Sequence, residues 1–162
     1  VPVPRFPQER RQPALVGRVR VPREGAAMLK VKLGKEVVVS MPNEIGALAQ
    51  MLKVVADKGV DILAITTTVT GRTATVRMVT EDNLRVMDAF DERGFGPWES
   101  EVVIGELPHR PGTLRRVCEA LSTRGIDLHH LYLTAGSDHN RCTIVFGSSN
   151  NERAVVFLNE VL

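Results

Sequence analysis

Cysteine and aromatic residues are scarce in this chain. Its 162 residues include two cysteines, Cys118 and Cys142, and only 4% are Phe, Trp or Tyr. Two cysteines with no Cys-x-x-Cys spacing exclude a disulfide-dense scaffold and fit a reducing cytosol. No apolar run approaches the ~20 residues of a membrane span, and no secretory signal is evident. A charge excess is missing too: 21 Lys and Arg stand interleaved with 19 Asp and Glu, so nothing demands a polyanionic partner. What remains is a cytoplasmic globular composition, 43% hydrophobic and 25% charged, long enough for one domain or two small ones.

Residues 1–27 read differently from the rest. "VPVPRFPQERRQP" is rich in Pro and Arg without a hydrophobic period, which predicts a disordered arm or extension, with Met28 as a candidate start. Within it, Ala14 to Val21 alternates apolar with basic residues, the pattern of an edge strand.

The chain repeats itself. Laying Val37 on Val103 aligns Pro42 with Pro108, Gly46 with Gly112, Leu48 with Leu114, Gly59 with Gly125 and Asp61 with Asp127, all at one constant offset. Identities that fall on Gly, Pro and Leu indicate shared backbone geometry, because these residues set turns and packing. Two units are therefore expected, 28–100 and 101–162.

In the first unit "EVVVSM" reads as a buried strand. Ile45, Leu48, Ala49, Leu52, Val55 and Ala56 then form a helical stripe, with Asn43 or Glu44 near its start and Gly59 at its stop. "DILAITTTVT" and "RTATVRMV" alternate and meet at a Gly71-Arg72 hairpin. A second helix over "EDNLRVMDAFDERG" turns Val86, Met87 and Phe90 inward, and "WESEVVIGEL" returns as strand. The order β-α-β-β-α-β predicts an α+β fold of two ferredoxin-like units, with antiparallel sheets and helices on one face. The second unit repeats this, with Leu114, Val117, Cys118 and Leu121 on its first helix, but the sequence ends at a helix from about Asn151. Its last sheet position would lie open unless Ala14 to Val21 or a partner chain fills it, or the chain is cut short.

A unit of this order whose first turn reads Asn43-Glu44-Ile45-Gly46-Ala47-Leu48, repeated as His109-Arg110-Pro111-Gly112-Thr113-Leu114 and followed by "KGVDI" and "RGIDL", resembles the ACT domain. The resemblance covers roughly residues 35–162, and as a tandem pair it is similar to stand-alone amino-acid-binding regulators of the glycine-cleavage-repressor kind. It implies a non-catalytic homodimeric regulator that binds a small amino acid and modulates an enzyme or regulator of amino-acid metabolism. It further implies a ligand site at Asn43 to Leu48 with Asp61, Ile62 and Leu63, and at His109 to Leu114 with Asp127, Leu128 and His129. A helix N-terminus suits an α-carboxylate, because its backbone N–H groups are unpaired and carry the positive end of the macrodipole. Gly46 and Gly112 would permit close approach, Asn43 would orient the ligand or cap the helix, and Asp61 or Asp127 would receive an ammonium. The same residues also fit plainer roles: cap, strand start, tight helix-sheet packing. In the second loop Arg110 would clamp a carboxylate that Glu44 would repel, and Pro111 removes a donor.

No cofactor or metal is expected. His109, His129, His130 and His139 all fall in the second unit, yet His129 and His130 are neighbours on a strand and point apart, and no ligand spacing is present. The alternative on this fold is an RNA-binding or protein-interaction module, and RNA binding would need aromatics on central strands that "EVVVSM" and "TATVRM" lack. An acylphosphatase-like enzyme would use Arg110 for phosphate, but no nucleophile with an adjacent base accompanies it.

Overall fold

The computed structural model describes residues 30–135 and 140–161. Ten elements follow in order: β1 (Lys30–Pro42), α1 (Ala47–Asp57), β2 (Ile62–Thr70), β3 (Thr73–Thr80), α2 (Asn83–Glu92), β4 (Trp98–Pro108), α3 (Thr113–Thr123), β5 (Leu128–Ala135), β6 (Arg141–Ser148) and α4 (Asn151–Val161). All six strands join one antiparallel sheet in the order β2-β3-β1-β4-β6-β5. The α+β, ferredoxin-like reading is therefore right, with the two sheets fused.

The fusion works because β1 and β4 each serve both units. The C-terminal half of β1 pairs with β3, whereas Lys30 to Gly34 pairs with Glu106 to Val102 and stands as the fourth strand of the second unit. The sheet position expected to depend on Ala14 to Val21, on a partner or on further chain is thus filled by β1 itself. From sequence the strand started only at Glu36, because Lys30, Lys32, Gly34 and Lys35 interrupt the apolar run. Ala14 to Val21 lies outside the described residues. Lys35 and Glu101 are separated by the repeat offset and are also direct cross-strand partners, so they mark the pseudo-twofold axis relating the units.

Alternation on β1 sends Val31, Val37, Val39 and Met41 to one face. Val37, Val39 and Met41 meet Met51, Val54 and Val55 of α1 and Val86 and Phe90 of α2; Val31 joins Val103, Leu107, Val117, Leu121 and Leu158 under α3 and α4. All four helices cover this face. The α1 stripe is rotated from expectation: its buried residues are Met51, Val54 and Val55, while Ile45 is fully exposed and Leu48 is exposed as well. The reason is that α1 starts only at Ala47, so Ile45 belongs to the loop. On α2, Val86 and Phe90 do turn inward, with Met87 packed against the same core.

A flat sheet would hold β2 and β5 about 24 Å apart across five strand spacings. Here they approach within contact range, so the sheet curls into a partly closed barrel. The helix-free face becomes an interior, in which Val38, Val102 and Val145 are fully buried and Ala64, Val79, Ile104 and Tyr132 pack together. A second duplicated device fixes the helix following each hairpin. Asn83 Oδ1 accepts from the Thr80 N–H and Oγ1, and its Nδ2 donates to the Lys35 carbonyl. Asn151 does the same with Ser148 and the Glu101 carbonyl. The gapless repeat missed this pair because the second hairpin is longer and shifts the offset.

Candidate functional site

The repeated loop is repeated in geometry. Gly46 and Gly112 each sit at the helix N-cap with φ 88° and ψ −10°, a left-handed conformation, and neither helix has a side-chain cap. Asn43 is therefore not the cap; its N–H donates to the Arg72 carbonyl at 2.9 Å, as the His109 N–H does to Asn140 at 2.8 Å. A Cβ at Gly46 or Gly112 would meet nothing within 4 Å, so the glycines are required by the backbone angle and not by helix-sheet packing. Glu44 to Pro42 and Arg110 to Pro108 close the same backbone bond in each loop.

The remaining candidates lie elsewhere. Asn43 to Leu48 follow Pro42, which stands across from the Thr70 end of β2 through Thr73; Asp61, Ile62 and Leu63 stand at its other end, roughly 25 Å away. Asp127, Leu128 and His129 are likewise at the far end of β5 from His109, Arg110, Pro111, Gly112, Thr113 and Leu114. The Asp61 and Asp127 carbonyls accept from the Glu81 and Ser149 N–H groups, fastening the strand starts. The two loops themselves cap opposite ends of the antiparallel pair β1 and β4, roughly 40 Å apart. One protomer does not join them into a single site.

At the first loop a cavity of about 430 Å³ is lined by Ser40, Met41, Pro42, Asn43, Glu44, Arg72 and Thr73. Arg72 supplies a cation and Glu44 an anion, and neither side chain has an ion-pair partner among the described residues. From sequence Arg72 was only a turn residue; its position just after Thr70 and Gly71, in a hairpin facing the loop, was the signal. Asp127 and Leu128 line a shallower cleft of about 410 Å³ with Cys118 and Ile126.

The interior holds a charged cluster that was not foreseen from sequence either. Glu36 is 0% exposed, yet its Oε1 accepts from Arg77 Nη1 at 2.6 Å and its Oε2 from the Tyr132 hydroxyl at 2.9 Å. His130 Nε2 lies 3.0 Å from Glu36 Oε1 without the alignment of a hydrogen bond. Burial pulls the His130 imidazole below its ordinary value; Glu36 opposes the shift and Arg77 adds to it. Burial, and then Glu36, push the Tyr132 phenol up, so it stays a donor. Glu36 and Arg77 come from the first unit, His130 and Tyr132 from the second, and the cluster ties the units together. The sequence signal was Glu36 at an inward position of an otherwise apolar strand, and Tyr132 as the single tyrosine. Among the described residues no three His, Cys, Asp or Glu side chains converge as a metal site would require, and no helix is long and apolar enough to cross a membrane.

Two fused ferredoxin-like units with a loop of matching geometry at each helix start define a duplicated α+β fold. Residues 35–89, which lie within the first unit, match the family model described as ACT domain. No curated protein matches the chain. Among solved structures, a protein from Bacteroides thetaiotaomicron is similar over 80% of this chain and 89% of its own, at 22% identity and TM-score 0.75. The ligand-free regulatory subunit of aspartate kinase from Thermus thermophilus covers 82% and 96%, at 12% identity and TM-score 0.57. The aspartokinase alpha and beta subunits cover 81% and 95%, at 15% identity and TM-score 0.56. At these identities the likeness is one of fold. The ACT match over residues 35–89 supports a regulatory, ligand-binding role.

Proposed function

We propose that the protein is a non-catalytic tandem ACT regulator, cytoplasmic and homodimeric, which binds a small amino acid at the first loop and thereby modulates an enzyme or regulator of amino-acid metabolism. The observation that carries this reading is the pairing of opposite charges around the first-loop cavity. Arg72 faces the α-carboxylate, Glu44 the α-ammonium, and Asn43 orients both, a charge pattern complementary to a zwitterion. The volume falls within the range of ligand pockets, about 300–1,000 Å³. A ligand of roughly nine heavy atoms, at no more than ~1 kcal/mol per atom, binds with micromolar to millimolar affinity. Fully exposed Ile45 beside the cavity gives a second copy an apolar contact and a way to sense occupancy.

A thermal-shift screen against the twenty amino acids at millimolar concentration tests this, since a ligand of the folded state raises the melting temperature. A selective shift that disappears in Arg72→Gln and in Glu44→Gln is expected. No shift with any amino acid, or one untouched by both substitutions, overturns it. Ile45→Asp should convert a dimer to monomer in light scattering.

A further inference from the structure

The opposite end of the interior carries a larger opening. A cavity of about 600 Å³ lies over Leu63, Ala64, Val79, Ile104 and Val145, with Lys30, Lys32, Glu106, Arg141 and Thr143 among its polar lining. It shares two rim positions with the first-loop cavity, Glu106 standing where Ser40 does and Arg141 where Thr73 does, while its floor residues Ala64 and Val145 stand where His130 and Arg77 do in the charged cluster. Its chemistry is different. Glu106 Oε2 accepts from Arg141 Nη1 at 2.7 Å, so the one acid among the described lining residues is already paired. Lys30 and Lys32 are exposed and have no ion-pair partner among the described residues.

We infer that this cavity binds an apolar monocarboxylate, a molecule with a hydrocarbon body and one anionic head and no ammonium group. The hydrocarbon replaces water over the Ala64–Val79–Ile104–Val145 floor, and the carboxylate meets Lys30 and Lys32 at the rim. An amino acid is disfavoured here because no free acid remains for its ammonium among the described lining residues, in contrast to the first-loop cavity. The chain's own residues 1–29 are an unsuitable occupant on charge, since they carry six arginines against two glutamates and would bring cations to a cationic rim. Two sources share the required chemistry, a fatty acid and a 2-oxo acid.

Calorimetric titration of the full chain at low ionic strength with octanoate and with 4-methyl-2-oxopentanoate, using hexylamine and leucine as controls, separates these cases. At least one carboxylate should bind at one site per chain, and whichever of the two is tighter identifies the source. The double variant Lys30→Gln, Lys32→Gln should raise Kd about tenfold. Both lysines are exposed, so an unchanged melting temperature verifies that the variant is folded. Arg72→Gln should leave carboxylate binding intact, which keeps this site distinct from the amino-acid site and its fate independent of it. Binding of neither carboxylate at millimolar concentration, hexylamine binding as tightly as octanoate, or an unchanged Kd in the double variant would each overturn the inference.

Discussion

Glu36 and Val102 occupy the same place in the two units, as do Arg77 and Val145, His130 and Ala64, and Tyr132 and Thr66. One set forms a buried ion pair roofed by an imidazole and a phenol; in the other, Val102, Val145 and Ala64 pack in an apolar cluster, and Ala64 and Val145 floor a cavity. Apart from the longer second hairpin the strands match on both sides, down to the register shift after Ile62 and after Leu128. Duplication therefore fixed the frame and left the interior chemistry free to diverge, provided that each side remained internally matched. A charge arrived with its counter-charge, and a valine with valines. Gly147 shows the matching at close range: a Cβ there would come within 2.5 Å of the His130 ring that lies across from it.

The sharpest way to break the matching is to remove one charge. Arg77→Met leaves the Glu36 carboxylate buried without its cation, and should cost about 3–5 kcal/mol in urea unfolding. Converting the polar side to the chemistry of the other, with Glu36→Val, Arg77→Val and Tyr132→Phe together, should recover most of that loss, because hydrophobic replacement of a whole buried pair is often neutral or better. A triple variant as unstable as Arg77→Met would show that the two interiors are not interchangeable.

A milder cut removes one contact between the units. Tyr132→Phe deletes the hydroxyl donor to Glu36 while keeping the ring beside Val145, and a hydrogen bond to a charged group is worth about 1.5–3 kcal/mol. Equilibrium unfolding of this variant against wild type reads the value. A loss no larger than that of an inconsequential surface substitution, about 0.5 kcal/mol, would mean that the cluster does not clamp the second unit to the first.

The loops should behave alike where the interiors differ. Gly46→Ala and Gly112→Ala both place a Cβ at φ 88° with no neighbour within 4 Å, so each should cost about 1–2 kcal/mol from backbone strain alone, and the two values should agree. A marked inequality, measured by chemical denaturation, would expose a contact at one loop that the shared geometry does not contain.

These loops were the most legible part of the sequence. A repeat carried by Gly, Pro and Leu reports backbone angles, and Gly46 and Gly112 are where those angles recur. Element order and the inward residues of α2 followed from periodicity for the same local reason. What periodicity could not give was anything dependent on closure. Lys30 to Gly34 reads as polar loop because one face of that stretch is the rim of a cavity, and its strand character comes from β4, far along the sequence. Glu36 opens the strand read from "EVVVSM", but its partners Arg77, His130 and Tyr132 are brought round it only by the curl of the sheet. Ile45 misled for the opposite reason: it matches helical spacing, yet the glycine after it delays the helix past it.

The smallest expected effect concerns pH and again separates the two interiors, since among the described residues only one contains a histidine. His130 is flanked by Glu36, Arg77 and Tyr132, with His129 next to it on the strand, and burial together with Arg77 and His129 outweighs Glu36 in lowering its pKa from 6.5. The unfolded chain then binds a proton at this residue more readily than the folded one, so stability rises with pH across the interval between the lowered value and 6.5. The contribution is complete above about 6.5 and is lost as pH falls through that interval toward the folded pKa. Other titrating groups are common to wild type and His130→Gln, so their difference in urea midpoint isolates the effect. The wild-type advantage should shrink between pH 7.5 and pH 5. If it instead grew on acidification, His130 would be gaining a proton from Glu36's attraction in the folded state, and the ion pair, not burial, would govern the site.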